Sequence, residues 1–72
     1  MAYISQLWEQ IDRLRLEYWE LYKKVEALEE EAYRMDKITE ETLNQFKKIY
    51  AEMGEIRSKK LDILQRIYEA NL

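Results

Sequence analysis

Apolar residues recur along the first half of the chain at Ile4, Leu7, Ile11, Leu14, Tyr18, Leu21, Val25, Leu28, Ala32 and Met35, in alternating steps of three and four. That spacing is the a/d seam of a helix packed in coiled-coil fashion, and no charged residue interrupts it. The rhythm returns at Thr42, Phe46, Ile49, Met53, Ile56, Lys60, Ile63, Ile67 and Ala70, where Lys60 alone breaks the apolar interior. The pattern predicts two helices, about 3–35 and about 40–70, with a turn at about 36–39.

The break carries its own start signal. Thr39 suits an N-cap, and Glu40 and Glu41 fall in the first turn, where the helix dipole favours anions. Ile38 and Leu43 occupy the two positions of a hydrophobic staple. Thr42 stands where a strict capping box would have Glu.

Two helices of about 30 residues joined by so short a turn must lie antiparallel. The register that centres the turn on Lys37 sets Leu7 opposite Ile67, Ile11 opposite Ile63 and Tyr18 opposite Ile56. Further along it sets Leu21 opposite Met53, Val25 opposite Ile49 and Leu28 opposite Phe46. It also brings the g positions Lys24 and Glu52, Glu17 and Lys59, and Gln10 and Arg66 together, so opposite charges support the alignment. Exposed pairs of this kind contribute about 0 to 1 kcal/mol each, enough to select a register but not to hold it.

The hairpin then has two unlike sides. Its g/c side is charged almost throughout and reads as solvated, with Glu20–Lys24, Glu55–Lys59 and Asp62–Arg66 spaced for pairing along the helices. Its e/b side carries Trp8, Trp19, Tyr22 and Tyr33 from the first helix, and Leu43, Tyr50, Leu61, Leu64 and Tyr68 from the second. An isolated hairpin would leave this side wet, and one helix–helix seam is little against the entropy of ordering the chain. Two hairpins packed by their e/b sides solve both problems. The expected fold class is therefore all-α: an antiparallel, coiled-coil-like two-helix hairpin that dimerises into a four-helix bundle.

Gly54 lies on the same side, near the middle of the second helix, where glycine costs about 1 kcal/mol relative to Ala. A close crossing of another helix would account for it. The expected dimer interface is thus Trp8, Trp19, Tyr22, Tyr33, Leu43, Tyr50, Gly54, Leu61, Leu64 and Tyr68.

Composition narrows the class. The chain of 72 residues fits one domain, 1–72, and has no Pro, no Cys and one Gly, with 38% charged residues. That suits long helices. Without cysteine there is no disulfide or thiolate chemistry, which favours a reducing compartment. No apolar run reaches the roughly 18 to 20 residues of a membrane span and no signal-peptide pattern opens the chain, so a soluble, cytoplasmic protein without a membrane partner is expected. The net charge of −3 disfavours nucleic acid as a partner.

One cationic group departs from the apolar pattern. Lys60 sits at an a position, and Arg15 and Arg57 take facing e positions beside it, with Asp12 one turn before Arg15. Such a cluster can bind a carboxylate or phosphate. A polar residue at a more often fixes register and oligomeric state, with carboxylates such as Asp12, Glu26 or Glu29 of a second copy as neutralising partners.

Other chemistry finds no footing. The chain has no His, which removes histidine-based metal sites and acid/base catalysis. No Gly-rich loop is present to cradle a nucleotide. The acidic run Glu26, Glu29, Glu30 and Glu31 spreads over several helix faces. No catalytic residue, cofactor or metal is expected. The sequence points to a non-enzymatic protein–protein interaction or scaffolding module whose partners are a second copy of itself and another protein. The alternative is an anion- or RNA-binding bundle that uses Arg15, Arg57 and Lys60.

Overall fold

The computed structural model describes residues 2–70, with side chains from Tyr3 onward. Met1, Asn71 and Leu72, which the expected domain also spans, lie outside the described residues. Two helices, α1 (Ala2–Met35) and α2 (Glu40–Ala70), pack against each other as a hairpin. Long helices are the expected outcome for segments rich in Leu, Glu, Lys, Arg and Ala, without proline, and with their apolar residues on one stripe.

Helix α1 ends by a specific device. The Asp36 N–H donates to the Tyr33 carbonyl at 3.2 Å, and the Lys37 N–H donates to the Ala32 carbonyl at 3.2 Å. This double bond pattern is a Schellman motif, and it puts Asp36 in the left-handed region at φ 56°. Aspartate tolerates that conformation better than most residues, although glycine suits it best.

The chain then restarts at Thr39. Its Oγ1 accepts the Thr42 N–H at 3.1 Å, and its carbonyl accepts the Leu43 N–H at 2.9 Å as the first bond of α2. The Thr42 hydroxyl lies 2.9 Å from the Thr39 hydroxyl, a contact between side chains rather than the reach back to the N-cap N–H that Glu makes in a capping box. The staple residues Ile38 and Leu43 both remain exposed.

Every seam position from Ile4 to Ala32 and from Thr42 to Ile67 is buried or half-buried. Outside the seam, only Glu52 and Gly54 reach even half-burial among the described residues. Leu7, Ile11, Ile63 and Ile67 form one buried cluster with Leu14 packed against it, in the register that the a/d pairing requires. Met35 and Ala70 depart from the expected seam and are exposed, because each lies at a helix end where the opposing helix covers it little.

The charged pairs also differ in detail. Glu20 pairs with Lys23 at 3.3 Å rather than with Lys24, and Asp12 pairs with Arg15 at 3.8 Å. Among the described residues, neither Glu55–Lys59 nor Asp62–Arg66 closes within 4 Å, nor does any ion pair between the helices. Gln10, Glu17, Lys59 and Arg66 instead line one solvent-open groove, and Lys24 and Glu52 line another. Such long exposed side chains keep their rotamer freedom because the Coulombic gain in water is too small to fix them.

The shape follows from the topology. The hairpin measures 52 × 15 × 13 Å with a radius of gyration of 16.5 Å, against about 11 Å for a compact domain of this length. It exposes 6053 Å², whereas a compact fold of 8.9 kDa would expose about 4,800 Å². One seam gives a rod with a thin core.

Candidate functional site

The e/b side is where the apolar surplus lies. The same helical rotation that turns Leu7, Ile11 and Val25 into the seam puts Trp8, Trp19 and Tyr22 one step outside it. Trp8 is 47% exposed and Trp19 51% exposed, and Tyr22, Leu43, Tyr50, Leu61, Leu64 and Tyr68 are exposed beside them. Tyr33, at 90%, stands almost free near the turn. The row runs the length of the rod, from Trp8 and Tyr68 toward one end to Tyr33 and Leu43 near the turn.

Local contacts organise the row. Trp19 stacks on Tyr22 with ring centroids 5.7 Å apart and planes 16° apart. Phe46, a seam residue, stacks on Tyr50 at 6.4 Å. These pairs hold the rings as flat, oriented surfaces, and each such pair contributes about 0.5 to 1.5 kcal/mol beyond its burial.

Gly54 lies half-buried in the middle of this side. A Cβ built there would meet only the Arg57 Nη2 atom, at 3.9 Å, an ordinary contact. Nothing inside the hairpin therefore requires glycine at this position.

The three cations do not share one pocket. Arg15 and Lys60 line a groove of 570 Å³ together with Asp12, Leu16, Tyr18 and Trp19. Arg57 does not line it but reaches its edge, donating from Nη1 to the Tyr18 hydroxyl at 3.3 Å. Arg15 faces Asp12, the only carboxylate in the groove lining. Lys60 is half-buried, its stem in the seam.

Sequence reasoning passed over two contributors. Leu16 sits at an f position, remote from the seam, is 66% exposed, and extends the apolar surface around α1 beside Trp19. An apolar f residue one turn before the b-position Trp19 is a visible signal that the apolar surface extends beyond the e/b side. Tyr18 reads as a seam residue, yet its ring is long enough to carry its hydroxyl out to Arg57.

No charged or polar residue is buried among the described residues, and no three of their acidic side chains converge as metal ligands. No described helix is long and apolar enough to cross a membrane. Comparison with protein-family models, curated proteins and solved structures gives no match.

Proposed function

We propose that this hairpin is a non-enzymatic protein–protein interaction or scaffolding module that acts as a homodimeric four-helix bundle in the cytoplasm. The observation that carries the reading is the segregation of Trp8, Trp19, Tyr22, Tyr50, Leu64 and Tyr68 onto one exposed side of a rod whose other side is charged. A face of 52 × 15 Å buried on both copies removes about 1,600 Å² from water, the size of a standard specific interface. Aromatic residues of this kind dominate binding energy where they are fully desolvated. Tyr33, almost wholly exposed, lies at the margin of the face and is the surface offered to another protein.

Sedimentation equilibrium over a wide concentration range tests the assembly. A dimer of about 18 kDa supports it, and a monomer at high micromolar concentration overturns it.

The second reading, an anion- or RNA-binding bundle, draws on the groove that Arg15 and Lys60 share. Removing Arg15 and Arg57 together by Ala substitution separates the two. Lost binding of inorganic phosphate or RNA with an intact dimer favours the second reading, and a weakened dimer favours the first.

A further inference from the structure

We infer that the turn is a hinge across which two copies of the chain exchange α2, each straightening into one continuous helix. The partner is a second copy held through the seam, so the exchange does not depend on the pairing of e/b sides proposed above. The seam continues through the break without a change of phase. From Met35 it steps by four to Thr39, by three to Thr42 and by four to Phe46, the alternation that runs before and after. The e/b series does the same through Tyr33, Asp36, Glu40 and Leu43. A hairpin alone requires no common phase across its turn, because inserted or deleted residues there would shift the pattern of one helix without disturbing the other.

The turn itself is compatible with helix. Asp36, Lys37, Ile38 and Thr39 include neither Gly nor Pro, and all four are exposed. The two bonds that close α1 cross over, the Asp36 N–H donating to the Tyr33 carbonyl and the Lys37 N–H to the Ala32 carbonyl. In a continuous helix the same donors meet the same acceptors in the other pairing, Asp36 with Ala32 and Lys37 with Tyr33. Asp36 gives up the left-handed conformation at φ 56° as it does so.

Opening keeps the seam. The α1 helix of one copy packs on α2 of the other in the register of the hairpin, so the contacts among Leu7, Ile11, Ile63 and Ile67 are remade between copies. The exchanged pair is an antiparallel two-stranded coiled coil of about 100 Å, against the 52 Å of the hairpin. It covers apolar residues that the closed turn leaves bare. Met35, 55% exposed, falls opposite Thr39 of the second copy, and Ile38, 58% exposed, falls opposite its own counterpart. Two effects oppose opening. The Asp36 carboxylates of the two copies meet at e positions across the axis, and closure within one chain acts at an effective concentration in the millimolar range. The parent therefore stays closed when dilute and exchanges α2 as it approaches about 1 mM.

Substitutions in the hinge set the balance. Asp36→Ala with Thr39→Ala removes the like-charge contact, a residue that tolerates the left-handed turn and the N-cap of α2. Each exchanged pair gives up two turns, so a tenfold effect per turn lowers the Kd for exchange by about 100-fold. Asp36→Gly acts the other way, because glycine suits the left-handed turn and disfavours the continuous helix.

Donor and acceptor dyes at Glu9→Cys and Gln65→Cys, both exposed and in a chain without native cysteine, read the opening within one chain when the labelled protein is diluted into unlabelled protein. The two positions lie within about 20 Å in the hairpin and about 84 Å apart in a continuous helix. In the double-Ala background, energy transfer is expected to fall to near zero between about 1 and 100 µM. The mass should double in step by sedimentation, and the helical circular dichroism should be kept. In the Asp36→Gly background transfer should stay high, and a fall as steep as in the double-Ala protein overturns the hinge. High transfer in the double-Ala protein up to about 1 mM overturns the exchange. Loss of its helicity does too, since the exchanged form keeps every seam contact. A doubled mass with high transfer overturns the exchange while supporting the pairing of closed hairpins by their aromatic sides.

Discussion

Gly54 gives the sharpest separation between a lone hairpin and an assembled one. Within the hairpin, an added Cβ has only the mobile end of Arg57 as a neighbour, at 3.9 Å. Helix propensity then acts alone, and Gly54→Ala should stabilise the isolated hairpin by about 0.8 to 1 kcal/mol, with Gly54→Leu close behind. For a domain of this size each kcal/mol corresponds to roughly 4 to 8 °C in Tm. In the proposed dimer the balance changes, because the side chain enters the space where a helix of the second copy would cross. Overpacking of that kind costs about 1 to 3 kcal/mol, more for Leu than for Ala, and Leu gains no more propensity to offset it. The expected result is a Gly54→Ala variant near parental stability and a Gly54→Leu variant whose dimer Kd rises by about 10- to 100-fold. Sedimentation equilibrium gives the Kd, and urea unfolding at two protein concentrations gives the stability. A Gly54→Leu protein that dimerises as tightly as the parent refutes the crossing.

The remaining predictions concern the hairpin itself. Asp36→Gly should raise stability by about 0.5 to 1 kcal/mol in urea unfolding, because it relieves the left-handed conformation at φ 56°. Thr39→Ala removes the hydroxyl that accepts the Thr42 N–H and should cost about 1 kcal/mol by the same measurement. Ile11→Ala, in the buried cluster with Leu7, Ile63 and Ile67, should cost about 2 to 4 kcal/mol. Its loss should be visible as reduced helical circular dichroism at room temperature, since a core this thin has little reserve. A loss below about 1 kcal/mol would mean that the cluster is not the centre of the fold.

The aromatic side raises a question of partition between core and docking surface. Trp8 and Tyr22 at e adjoin the seam, whereas Trp19 and Tyr33 at b stand farther out. Pairing of two hairpins would draw the e residues and Gly54 into the bundle and leave Tyr33 at its margin. The stacking of Trp19 on Tyr22 joins the two groups, so burial of one ring orients the other. Intrinsic tryptophan fluorescence should therefore shift to the blue with rising protein concentration, in step with the mass. Emission that stays red while the mass doubles would place the dimer contact elsewhere.

The sequence by itself determined the two helices, the turn, the antiparallel pairing and the seam register. All of these follow from a period close to the helical repeat and from capping chemistry that acts within a few residues. The mark of this locality is that Leu7 and Ile67, far apart in the chain, meet as the a/d pattern requires. Only the tertiary structure decided how the polar atoms settled. The Thr42 hydroxyl turns to that of Thr39, Asp36 takes the left-handed turn, Arg57 bonds to Tyr18 at the edge of the groove that Arg15 and Lys60 line, and the expected ion pairs stay apart. Those outcomes depend on rotamers of long side chains whose alternatives differ by less than about 1 kcal/mol, so a one-dimensional pattern does not contain them. Apolar burial is far larger and non-directional, and it can be read from spacing alone.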